Sequence, residues 1–117
     1  MKGLKRTTLI KTAKNLVFQL KRFQFDNTKQ RHEKIHSSFL YPTSLQLNSS
    51  SSLYTLHGVV CHIGEARGGH YTSFIQVCQS EWYWFSDSRV CRSSNDEMTL
   101  HGYGTGIDVT MNEGSEI

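Results

Sequence analysis

The stretch LYTLHGVVCHIGEARGGHYTSFIQVC, Leu53 to Cys78, decides how this chain is read. Leu53–Ile63 carries apolar residues on both alternation sets, Leu53, Val59, Cys61 and Ile63 against Tyr54, Leu56 and Val60. That pattern predicts a strand with two partly covered faces. A glycine-rich loop with Glu65 and Arg67 follows, and His70–Cys78 reads as a second strand. In it Tyr71, Ile75 and Val77 are expected to pack inward, with His70 on the opposite set. EWYWFSDSRV, Glu81 to Val90, reads as a third strand, so the three predict an antiparallel meander. Gly68 and Gly69 deliver His70 to the start of its strand, and a glycine pair lets backbone approach closely beside a reactive imidazole. Ser86 and Asp87 sit on the neighbouring strand, where facing side chains lie about 5 Å apart. A hydroxyl or carboxylate there is placed to hold Nδ1–H of His70, the orienting half of a nucleophile–histidine–acceptor triad.

Upstream, NLVFQLKRFQF (Asn15–Phe25) predicts one strand covered on both sides near its start, and residues 26–38 an exposed turn or loop. FLYPTSLQLN stops at Pro42 and alternates briefly at Leu45 and Leu47, and NSSSS (Asn48–Ser52) is a low-complexity loop. Downstream, SNDE (Ser94–Glu97) is a capping box and Gly102 a helix stop, which predicts a helix of about two turns. Residues 103–117 are expected to be an irregular acidic tail. The fold class is α+β, mainly antiparallel sheet with one short helix. A sheet with so little to cover it reads as part of something larger.

The chain has 117 residues, 37% hydrophobic and 20% charged, enough for one small domain. No apolar run approaches the length of a membrane span, and the basic N-terminus has no apolar signal region, so no membrane partner is expected. Cys61, Cys78 and Cys91 lack disulfide-framework spacing, which fits a reducing compartment, cytoplasm or nucleus. Cys61 and Cys78 are expected to be packed and inert, and Cys91 exposed. With no CxxC or HxxxH spacing, no metal site is expected. Ten of the thirteen Lys and Arg lie within residues 1–34, which reads as a solvated face. A surface for nucleic acid is the alternative.

LVFQLKRF, FLYPTSLQLN, YTLHGVVCHIGEARGGHYTSFI and EWYWFSDSRV together resemble the C-terminal half of the ubiquitin-specific protease catalytic domain, in register from about Lys5 to Val90. The most specific part is V-x-H-x-G-x-A-x-G-G-H-Y-T-S-[aromatic] followed by W-Y-x-F-x-D-x-x-V. The resemblance implies the palm-side part of a papain-like cysteine protease domain over residues 1–102. It also implies cleavage after the Gly-Gly tail of ubiquitin, with ubiquitin and ubiquitinated proteins as partners and no cofactor. Carried over, His70 matches the general base, Gly68 and Gly69 the loop that admits the two-glycine tail, and Tyr71 the aromatic beside the base. Ser86 stands where the family usually has Asp or Asn, and Asp87 matches the Asp that commonly follows. A serine can fix the imidazole tautomer but brings no charge to an imidazolium. The family's Cys box, its paired CxxC fingers and its final aromatic strand after the helix have no counterpart here. The chain is therefore expected to carry the base half of a site without its nucleophile, with the N-terminal half of the domain as a further partner. A non-catalytic ubiquitin-binding remnant and a basic RNA-binding module using KRFQF are the alternatives.

Overall fold

Among the residues described by this computed structural model, 3–48, 52–78 and 81–113, the backbone runs β1 (Asn15–Gln19), β2 (Phe23–Asp26), β3 (Arg31–Lys34), β4 (Ser44–Leu45), β5 (Tyr54–Glu65), β6 (Gly68–Cys78), β7 (Glu81–Ser86), β8 (Arg89–Ser93), α1 (Asn95–Thr105) and β9 (Gly106–Glu113). The expected meander is present with one strand more than predicted: β5, β6, β7 and β8 pair antiparallel in sequence order, because Glu81–Val90 is not one strand but turns at Asp87 and Ser88 and returns as β8. The chain then crosses through α1 and returns as β9, which inserts between β5 and β1. β4 adds two residues to β5, and β2–β3 form a separate hairpin.

The two apolar sets of β5 are reconciled by a bulge. Leu56 pairs with Met111 and Val59 with Val109, while the register slips between Leu56 and Gly58. Met111 and Val109 share a face of β9, so one extra residue on β5 puts Tyr54, Leu56, Val59 and Cys61 on that same face. With Phe74, Trp82 and Met98 they form the buried core, which α1 and Tyr41 cover. The other face keeps Val17, Tyr71 and Val77 exposed. The molecule is accordingly thin, 55 × 45 × 20 Å, with a radius of gyration of 16.7 Å. A compact chain of this length has about 13 Å.

Several expectations need correction. The tail is not irregular from residue 103: α1 continues to Thr105 and β9 is an interior strand of the sheet, between β1 and β5. Its signal was the alternation Ile107, Val109, Met111, a strand after the helix where none was expected; residues 114–117 lie outside the described part. Gly102 does not stop the helix. It is buried because the Tyr41 hydroxyl stands where a Cβ would project, and the stop comes at Gly106, whose N–H donates to Gly102 O. Ser94 caps as expected, accepting from Glu97 N at 3.1 Å, but the Glu97 carboxylate reaches Ser93 Oγ at 3.4 Å.

The expected strand Asn15–Phe25 is broken at Leu20–Arg22. Arg22 is buried, and its guanidinium donates to the carbonyls of Gly106 (2.5 Å), Ser37 (2.7 Å), Tyr103 (2.8 Å) and Ile35 (3.2 Å). Residues 26–38 are not merely a loop: Asp26 Oδ1 accepts from Thr28 N and Lys29 N to turn the chain, and β3 returns along β2. On β6 the inward set is Thr72 and Phe74; Tyr71 and Val77 are exposed and Ile75 half-buried. His70 thus shares the helix-covered face. Cys78 is exposed rather than packed, because β6 bulges between Gln76 and its last residue.

Candidate active site

Gly64 and Gly69 face each other across the β5–β6 hairpin. Gly64 has φ +121, and a Cβ on it would lie 2.8 Å from Gly69 Cα. This approach pinches the Glu65–Gly68 turn tight enough to aim His70 at the strand mouth. Gly69 has no room either, since a Cβ there would lie 2.7 Å from His62 Nε2. Gly68 has open space around its Cβ direction, so its smallness matters only to what lies over the loop.

His70 Nε2 lies 2.7 Å from Ser86 Oγ and 3.9 Å from Asp87 Oδ2. Ser86 ends β7, and Asp87 follows it with φ +51. Strict alternation points Asp87 away from Ser86; the left-handed backbone brings its carboxylate back to the same imidazole nitrogen. The sequence expectation that Nδ1 is held is therefore corrected to Nε2. His70 sits at the loop end of β6 and meets Ser86 along the diagonal, so the far edge of its ring makes the contact. The contact fits Nε2–H donating to Ser86 Oγ or the Ser86 hydroxyl donating to Nε2; in the first arrangement the Nδ1 lone pair is free, and Nδ1 makes no hydrogen bond among the described residues. The site is open: the His70 side chain is 46% exposed and that of Asp87 84%. Tyr71, the next residue, is 58% exposed on the opposite face.

No cysteine lies beside that free nitrogen. Cys61 is buried, and burial pushes its thiol pKa up. Cys91 faces Trp84, which faces Phe74, so it is two strands from β6 and about 13 Å along it from His70. Cys78 is about 26 Å along β6 from His70.

Three residues that sequence reasoning passed over surround the loop. His62 is buried beneath Gly69, with its ring against Phe23 (centroids 5.3 Å apart) and Tyr71 (4.9 Å). Lys34 Nζ is buried and donates to His62 O at 2.5 Å, and burial lowers its pKa. The His in V-x-H-x-G was the available signal for this floor. Above it, His36 Nε2 and Glu65 Oε2 at 3.3 Å join the end of the β2–β3 hairpin to the β5–β6 turn.

The family model for ubiquitin carboxyl-terminal hydrolase matches residues 6–111. The chain belongs to that family. Ubiquitin C-terminal hydrolase 13 of Arabidopsis thaliana is 33% identical over 111 residues, 83% of this chain and 10% of that protein. Ubiquitin carboxyl-terminal hydrolase 15 of Schizosaccharomyces pombe is 35% identical over 99 residues, 76% of this chain and 9% of that protein. Among solved structures, the SAGA DUB module Ubp8/Sgf11/Sus1/Sgf73 bound to monoubiquitin superposes with a TM-score of 0.76 at 26% identity, covering 89% of this chain and 24% of that one. This chain thus spans about a tenth of the curated relatives it matches and about a quarter of the solved chain. Its fold is a mostly antiparallel sheet with one short helix, part of a ubiquitin-specific protease catalytic domain.

Proposed function

We propose that the chain supplies the base half of a deubiquitinase active site, in which a thiol cleaves the bond after the C-terminal glycine of ubiquitin. The observation that carries this reading is the His70 Nε2–Ser86 Oγ contact of 2.7 Å; with Nε2–H as its donor, Nδ1 is the free base. His70 Nδ1 takes the proton of the attacking thiol. The sulfur adds to the glycine carbonyl, and His70 returns that proton to the departing amine as the C–N bond breaks. Water then attacks the thioester, again through His70, and frees the thiol. Ser86 holds the tautomer, and the Asp87 carboxylate supplies the charge that a serine lacks when the imidazolium forms. Gly68 and Gly69 form the floor under the two-glycine tail, and Tyr71 stands beside it.

The thiol comes from residues outside these 117, in cis or in trans, because Cys61 is buried and Cys78 and Cys91 are remote. Reduced, unpaired surface thiols fit a cytoplasmic or nuclear setting. The RNA-binding alternative loses support from Arg22 and Lys34, both occupied by internal carbonyls. Ubiquitin carrying a fluorogenic C-terminal amide tests the proposal. The chain alone leaves it intact, while a polypeptide that joins the chain to a thiol-bearing complement hydrolyses it. Hydrolysis by the chain alone that disappears on Cys91→Ala overturns the reading.

A further inference from the structure

The residues on either side of His70 both rest on one buried side chain, and that side chain is not part of the chemistry above. Gly69 lies against the His62 ring so closely that a Cβ would meet Nε2 at 2.7 Å and Cε1 at 2.9 Å. The Tyr71 ring packs on the same imidazole at 4.9 Å, tilted 60°. His62 is 3% exposed and sits on the sheet face opposite His70, paired with Tyr71. It is itself gripped from the β2–β3 hairpin, by the edge of Phe23 and by Lys34 Nζ on its carbonyl. Among the described residues its Nδ1 is buried without a partner.

Two consecutive glycines have the greatest backbone freedom of any dipeptide, so Gly68–Gly69 cannot by themselves hold the following residue in one orientation. The ladder pairs Gly64–Gly69 and Glu65–Gly68 fix the hairpin but leave its tilt relative to the sheet to whatever lies beneath. What lies beneath is His62. We propose that His62 is a positioning residue: its ring is the shelf under Gly69 and Tyr71 that fixes the backbone of His70 and so the Nε2–Ser86 contact. The shelf function asks for a flat ring of this size and uses neither ring nitrogen, consistent with an Nδ1 that has no hydrogen-bond partner among the described residues. The kinetic consequence rests on His70 being the base; the structural one does not.

The test labels the chain with 15N at histidine and compares wild type with His62→Ala, His62→Gln and His62→Phe by ring 15N–1H correlation, taking the variants whose melts show them folded. His70 should give a single Nε2–H tautomer in wild type and in the Phe variant, and an average of both tautomers in the Ala and Gln variants. In the polypeptide that hydrolyses the ubiquitin amide, Ala and Gln should lower kcat by about 10–100-fold with KM within about twofold, and Phe should restore it. Unchanged His70 ring signals in the folded Ala or Gln variant overturn the proposal. So does a rise in KM at constant kcat, which makes His62 a substrate contact. If wild type hydrolyses nothing, the functional reading fails, and this inference is decided by the His70 signals alone.

Discussion

Replacing Arg22 by Lys keeps the charge and the stem and removes the fork. The guanidinium donates to four backbone carbonyls, from Ile35, Ser37, Tyr103 and Gly106, and no carboxylate neutralises it among the described residues. An ammonium on a shorter reach serves about two of the four. Each buried carbonyl left unpaired costs ~1–3 kcal/mol, so the loss is about 3 kcal/mol. At about 4 °C per kcal/mol for a chain of this size, the melting midpoint falls by ~12 °C. Circular dichroism melts of wild type, Arg22→Lys and Arg22→Ala measure it, each at low and high salt. A clasp shielded from solvent keeps the same difference at both salt concentrations. If both variants stay within about 0.5 kcal/mol of wild type, Arg22 belongs to a solvated basic face and the clasp is refuted.

Gly102→Ala drives a methyl group into the Tyr41 hydroxyl and should destabilise by about 1–3 kcal/mol in urea unfolding, while Tyr41→Phe, which removes a buried hydroxyl with no partner among the described residues, should be neutral or stabilising and should relieve part of the Gly102→Ala defect. Timed alkylation with mass spectrometry should modify Cys78 and Cys91 at once and Cys61 only after unfolding; early labelling of Cys61 contradicts its burial. Burial, then the nearby Lys34 charge, holds the His62 pKa below its ordinary 6.5. Its contribution is therefore complete above about pH 6.5 and is lost as pH falls through the depressed folded value, because the unfolded chain binds the proton first. Urea unfolding between pH 7 and 5 should show stability falling, with a shallower fall in His62→Gln; equal slopes contradict this.

The central meander and the pairing of His70 with Ser86 were legible because they rest on short-range signals: strands with close joins, a glycine pair, and residues on neighbouring strands. The rest failed for reasons that local patterns do not contain. Tyr54 and Leu56 share a face with Val59 and Cys61 only because of a bulge, and an inserted residue leaves no mark in hydrophobicity. Gly102 carries an ordinary helix-stop signature, and only the distant Tyr41 makes it a close-approach site. Ile107, Val109 and Met111 did alternate, but the acidic and glycine residues around them masked a strand that lies inside the sheet between β1 and β5. Asp87 needed a backbone angle, not a periodicity, to reach His70. Arg22 looked like one more cation in a basic run, and its role depends on carbonyls up to eighty-four residues away in sequence.

The most direct test of the account is the rate of ubiquitin C-terminal amide hydrolysis by a polypeptide that joins these residues to a thiol, measured for His70→Ala, Ser86→Ala and Asp87→Ala. His70→Ala should fall to background turnover. Ser86→Ala should lose roughly 10–100-fold, the low end of what a positioned base contributes. Asp87→Ala should lose less than Ser86→Ala, since its carboxylate is 3.9 Å from the ring. Turnover that survives His70→Ala contradicts the assignment of the base, and a silent Ser86→Ala beside an inactive Asp87→Ala transfers the orienting role to the carboxylate.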